Sequence, residues 1–318
     1  MSDISDLPKV LLHDHLAGPP AQTPAELTAQ VRAHLERLAE DHVVYVELRI
    51  SPHLHTTGGL TLQEVVDCAV AGLDVPFIDA RLIPTAHPGQ DPTALAELVV
   101  RNHGPHIVGF DVAGEFTGLS EFADAFLLLR ENYVPFSVHA GLHGGIDEIG
   151  EAVQAGAVRL GHAVALIDDF HIDTEGFEGV LPGKISGWVR DRHLTIETAP
   201  SLEVSLGVVD EYSEHPLTLL QQLGFTCTVN TAQLEAAGSL SAEFERLEQI
   251  FGYGLEEFFD LTVNAVRGAF LTEVERQDLL ERVILPAYES QDLQAGLDEF
   301  AGAGAGADTD TDADTDDS

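Results

Sequence analysis

The sequence predicts a single (β/α)8 barrel, the TIM-barrel architecture, over residues 1–300, and three observations predict it. Short apolar, β-branched runs alternate with longer stretches whose apolar residues recur at three and four. There are eight such runs, a number that closes a barrel in a chain of this length. The competing doubly wound sheet would want a glycine-rich phosphate loop after the first run, and none follows it.

The first strand is VLLHDH (10–15), where period-two alternation sends His13 and His15 to one face and Asp14 to the other. The helical pattern AELTAQVRAHLERLAED (25–41) leads to the strand VVYVELRI (43–50), which carries Glu47 and Arg49. LQEVVDCAVAGLD (62–74) leads to ARLIPTA (80–86), with His87 just past its end, and PTALAELVVRN (92–102) to IVGFDVAG (107–114), with Asp111 on it and Glu115 after it. SEFADAFLLLREN (120–132) precedes FSVHAG (136–141), which holds His139, and IDEIGEAVQAG (146–156) precedes VRLGHAV (158–164), which holds His162. The last strands are LTIETAP (194–200), with Glu197, and CTVNTA (227–232), with Asn230 and Thr231. Several helical patterns follow a Thr, Asp or Ser, the residues that cap helix N-termini.

In this architecture the C-terminal strand ends carry the chemistry, and histidine recurs there. One such histidine alone reads as a satisfied rim residue. Three at matching strand ends, His13, His15 and His139, read as nitrogen ligands converging on the axis, a set that suits zinc with an open position for water. His162 reads as a group that orients a bound water or takes its proton rather than as a fourth ligand, with a hydrogen-bonded structural histidine as the alternative. Glu197 reads as a rim ion-pair member. His53 and His55, in the loop SPHLHTTGG, read as surface residues because a loop does not hold strand alternation.

Charge narrows the partners. Asp and Glu number 54 against 15 Lys and Arg, a net charge of -39 that repels phosphate backbones and anionic headgroups, so neither nucleic acid nor membrane is expected. Acids spread along the whole chain suggest a halophile's protein, soluble where salt screens its self-repulsion. Cys68 and Cys227 have no metal-ligand spacing, and MSDISDLPKV has neither a basic nor an apolar signal region, so a cytoplasmic location is expected. Residues 301–318, AGAGAGADTDTDADTDDS, are predicted to be a disordered acidic tail, the alternative being a docking arm for a basic partner.

Residues 7 to 285 resemble the adenosine deaminase family of metal-dependent hydrolases. LPKVLLHDHLAG resembles the family's opening strand with its two-histidine motif, VVYVELRISPHLH its second strand and loop, and FDVAGE its fourth. FSVHAGLHGGIDEIGEAV resembles the strand with the third metal ligand, RLGHAV the one with the catalytic histidine, IETAPSLEVSLG the seventh and TCTVNTAQL the eighth. DLTVNAVRGAFL resembles the C-terminal helix. The resemblance implies hydrolytic deamination of a 6-aminopurine nucleoside: zinc held by histidines and an aspartate activates water for addition at C6, a glutamate protonates the ring nitrogen, and ammonia leaves. By position it makes His13, His15 and His139 the histidine ligands and His162 the catalytic histidine, and it places Gly114 near the nucleoside-binding backbone. It implies a small-molecule purine nucleoside as ligand and names no protein partner.

The chain departs from the family's pattern at its acids. Leu142 stands where the family has its catalytic glutamate, and the family's NTDDP reads NTAQL, with Ala232 for the aspartate ligand and Gln233 for the second catalytic aspartate. Ala17 replaces a substrate-contacting aspartate, and only about 25 residues separate His15 from the second strand, where the family usually carries a larger helical lid. These departures predict lost or strongly reduced deaminase activity, a pseudoenzyme that keeps its site. The alternative is an active metal-dependent deaminase or hydrolase with a rebuilt acid–base set, drawing on Glu115, His143 or Glu235, and a different aminopurine-like substrate.

Overall fold

β-branched and aromatic runs buried on both faces form eight parallel strands, and the amphipathic stretches between them pack as helices on the outside. The computed structural model describes residues 4–116, 118–173 and 179–291, and the predicted acidic tail at 301–318 lies outside them. The strands are β1 (Lys9–His15), β2 (Val43–Ile50), β3 (Asp79–Ala86), β4 (Phe110–Val112), β5 (Phe136–Ala140) and β6 (Arg159–His162). A two-stranded antiparallel hairpin that the sequence pattern did not predict follows, β7 (Phe170–Asp173) and β8 (Gly179–Pro182). The barrel then resumes with β9 (Thr195–Thr198) and β10 (Cys227–Val229). Strand order is β1-β2-β3-β4-β5-β6-β9-β10, each pair parallel.

Closure between the last strand and the first uses a side chain in place of part of the ladder. Asn230 Oδ1 accepts the backbone N–H of Leu12 at 3.1 Å and of His13 at 3.0 Å. Two residues on, Ala232 donates its N–H to His13 O and accepts from His15 N–H, each at 2.9 Å. This clamp holds Ala232 at φ +50, a left-handed conformation that alanine adopts rarely and Asn or Asp more readily.

The outer helices include α1 (Pro24–Glu40), α2 (Leu62–Ala71), α3 (Pro92–Asn102), α4 (Ala123–Glu131), α5 (Gly145–Ala155), α6 (Lys184–Asp191) and α7 (Pro200–Ser205). Thr23, Thr61 and Asp91 cap α1, α2 and α3 by accepting the N–H of Glu26, Glu64 and Ala94. At α5 a glycine occupies the cap, and Glu148 reaches back to accept the N–H of Gly141 at 2.6 Å and of Gly144 at 3.3 Å. β4 is shorter than the run at 107–114 predicts. Ile107 forms only an isolated bridge to Leu82, and the Phe270 ring packs on Gly109 so closely that a Cβ there would meet it.

Below the strand ends the barrel is filled by charge. Arg49 is fully buried, with Nη2 2.6 Å from Glu197 Oε2, Nε 3.2 Å from Asp111 Oδ2 and Nη1 donating to Leu12 O at 2.7 Å. Arg159 continues the chain of contacts, 2.8 Å from Glu197 Oε1 and 2.5 Å from Glu47 Oε2, with its guanidinium stacked 3.6 Å over the Phe270 ring. Glu197 is therefore an ion-pair member as expected, but in the barrel interior and not on the rim. Among the described residues no helix is long and apolar enough to cross a membrane.

Candidate metal centre and pocket

The barrel brings the predicted histidines together. His13 and His15 turn to the barrel mouth, and Asp14 between them turns away, accepting from His34 on α1 at 2.5 Å and from Thr231 Oγ1 at 2.8 Å. His13, His15 and His139 each offer a ring nitrogen within 4.8 Å of the others'. Ring centroids lie 5.3 Å apart for His13 and His15, 4.5 Å for His13 and His139, and 5.4 Å for His15 and His139. His162 joins from β6, 5.0 Å from His13 and 5.1 Å from His139.

These nitrogens are suited to a cation. Both ring nitrogens of His13 and the Nε2 of His139 are buried without a hydrogen bond, although His13 Nδ1 stands 3.4 Å from Glu197 Oε2 and His139 Nε2 3.3 Å from Asp111 Oδ2. Burial, reinforced by neighbouring Arg49 and the other imidazoles, holds His13 and His15 well below the ordinary histidine range, so both rings are neutral and their lone pairs are available. Asp111 is the reverse case: burial opposes its ionisation, yet Arg49 and His139 outweigh burial and keep its carboxyl well below the usual range. Three imidazoles whose ring nitrogens converge, those of His13 and His139 without a hydrogen bond, fit a zinc-type ion with one position left open.

Gly161 makes the approach of the rings possible. A Cβ there would stand 2.8 Å from His139 Cδ2 and 3.3 Å from His13 Cε1. Gly161→Ala is therefore expected to push the His139 ring off its nitrogen partners and weaken metal affinity by ~10- to 100-fold, the scale at which disturbed ligand support acts. Competition with a chelating dye would measure it.

The rings floor a cavity of about 360 Å³, within the range of small-molecule sites. Leu142, Ala232 and Gln233 all line it, as do Gly114 and the apolar side chains of Leu16, Leu54, Leu202 and Leu206. Gly114 sits at φ +112, so a side chain there would be strained. Of the groups considered as replacements for the missing acids, none lines the cavity. Glu115 and His143 lie out in solvent 4.0 Å from one another, and Glu235 is exposed. His55 corrects a sequence expectation. It is buried in a 3-10 turn and accepts the N–H of Ala21 through Nδ1 at 3.0 Å, and it lines the cavity, while His53 is half-buried. Ser51 and His87 meet at the same mouth, Oγ to Nε2 at 2.7 Å.

One residue the sequence reading missed stands behind His162. Glu203 on α7 is fully buried, with Oε1 2.8 Å from His162 Nδ1 and Oε2 2.5 Å from His215 Nε2.

A family model described as adenosine deaminase matches residues 19–286. The chain belongs to the adenosine deaminase family. The matched span starts just after β1, so His13 and His15 lie before it and join His139 and His162 through barrel closure. An adenosine deaminase of Mycolicibacterium vanbaalenii is 38% identical over 282 residues, 84% of this chain and 77% of the relative. Adenosine deaminase 1 of Streptomyces coelicolor is 38% identical over 267 residues, covering 80% and 67%. Among solved structures, an amidohydrolase of Burkholderia ambifaria with bound zinc superposes with a TM-score of 0.80 at 18% identity, covering 92% of this chain and 94% of that one. An adenine deaminase of Arthrobacter aurescens superposes at 0.72 with 23% identity, covering 83% and 80%. At those identities the two structures speak for the barrel fold alone.

Proposed function

We propose that this adenosine deaminase family member binds a divalent metal through His13, His15 and His139 and admits a purine nucleoside beside it, with deaminase activity lost or strongly reduced. One observation carries the reading: among the described residues, no Asp or Glu side chain lines the cavity. When bound, a zinc-type ion would supply Lewis acidity that activates a water for attack.

The chain's own residues supply only part of the rest. His162 has its Nδ1 engaged by Glu203 and keeps Nε2 for the cavity, where it can take a proton. Gly114 offers unobstructed backbone at the mouth, where a planar base can approach closely. Protonating a purine ring nitrogen needs an acid in reach, and Leu142 has no proton to give. Gln233 can hold a water or a base edge by hydrogen bonds but does not exchange a proton with it.

Elemental mass spectrometry on protein purified in high salt tests the metal half of this reading. About one zinc-type ion per chain is expected, lost in His139→Ala. Chelation is expected to lower the thermal midpoint of the wild type, because an ion bound only to the folded state stabilises it. A wild type that neither carries nor takes up a divalent ion would refute this half.

A further inference from the structure

Glu203 lies outside the cavity wall, one imidazole removed from it, and its hydrogen bonds define where the protons sit. His215 is fixed first. The backbone N–H of Leu217 donates to His215 Nδ1 at 3.2 Å, and because a backbone amide can only donate, that nitrogen carries the lone pair. The proton of neutral His215 is then on Nε2, 2.5 Å from Glu203 Oε2. The other carboxylate oxygen accepts the N–H of Ala199 at 2.9 Å and faces His162 Nδ1 at 2.8 Å. Burial opposes ionisation of Glu203, but the hydrogen bonds from His162 and His215 outweigh it and bring its pKa down to about 2. An ionised carboxylate is an acceptor on both oxygens, so His162 must present Nδ1–H to it.

We propose that Glu203 is a positioning residue that fixes His162 in the Nδ1–H form, so that its Nε2 lone pair is the proton-accepting group of the cavity. The arrangement is that of a carboxylate behind a histidine base, in which the buried acid selects the tautomer and orientation of the ring. The backbone adds to the constraint. His162 is held at φ +68 and Ala163 at φ +53, consecutive left-handed residues whose strain persists because Ala163 N–H is bonded to Ala140 O at 2.9 Å. In a cavity without carboxylates this ring, beside the three ligand imidazoles, is a group placed to receive a proton. That chemical meaning rests on the proposed function, whereas the tautomer itself does not.

The test therefore reads the tautomer by nitrogen NMR, which needs neither turnover nor a loaded metal. Protein as purified, with ¹⁵N-labelled imidazoles, is examined at pH 8, and His162 is assigned by the signals missing in His162→Gln. Nδ1 is expected to carry the proton and Nε2 to be bare. In Glu203→Leu no acceptor remains at Nδ1, so the proton is no longer held there and the two nitrogen shifts should move toward one another as the tautomers interchange. A wild-type ring with its proton on Nε2 overturns the proposal, as does a folded Glu203→Leu whose His162 signals are unchanged. Should that variant fail to fold, the wild-type spectrum decides. A protein that lacks metal or turnover but shows the expected tautomer would refute the functional reading and leave this one standing.

Discussion

Loaded with zinc in high salt, the wild-type protein is expected to convert adenosine to inosine ~10²- to 10⁴-fold more slowly than its own Leu142→Glu, Ala232→Asp, Gln233→Asp variant, the range that a positioned proton donor is worth. All three positions line the same cavity as His13, His15, His139 and His162, so the returning carboxyls enter the volume in which a nucleoside would sit. The backbone is prepared for one of them. Ala232 is already held at φ +50 by its bonds to His13 and His15, a conformation in which aspartate is the less strained residue. An ultraviolet assay of inosine formation measures the ratio. Wild-type turnover equal to that of the triple variant would show that an acid reaches the substrate by another route and would end the disarmed-site reading.

What could be read from the sequence follows from the range of the interactions involved. The alternation of HDH fixes which way His13, Asp14 and His15 face, and the barrel rule places His139 and His162 at the same end, because both depend on local period and on strand order. Burial depth was not legible. Glu197 looks the same in LTIETAP whether its partners are rim residues or Arg49 and Arg159 from two other strands. The loop around His55 has no period and so reads as surface, but the segment around Ala21 folds over it and donates a backbone N–H. Glu203 gave no signal because its partners come from β6 and from the segment after α7, which the fold alone brings together. A buried acid beside His162 is therefore hidden in an ordinary short helical run.

The charged interior makes Arg49 the side chain whose loss should cost most. Arg49→Met keeps most of the volume and removes the charge, leaving Asp111 and Glu197 buried without the guanidinium that bridges them. Breaking a buried pair in this way costs about 3–5 kcal/mol, and Leu12 O and Ser137 Oγ lose their donor as well. Arg49→Lys should fall between, since a single ammonium cannot span Asp111, Glu197 and a carbonyl at once. The deficit has a definite pH dependence. In the wild type the Asp111 carboxyl is held well below its usual range, so it stabilises the fold at pH values above the unfolded carboxyl's pKa of ~3.9, and that contribution fades as acid protonates it. In Arg49→Met burial acts with less opposition and Asp111 is easier to protonate, so the gap between the two proteins is largest at neutral pH and narrows as acid protonates Asp111 in the variant before it does so in the wild type. Adding Asp111→Asn to Arg49→Met should recover part of the loss at neutral pH, because Asp111 is the carboxylate left without an arginine, whereas Glu197 keeps Arg159. Denaturant midpoints at fixed salt would measure each step, and an Arg49→Met protein within ~1 kcal/mol of wild type would show that water, not this guanidinium, compensates the carboxylates.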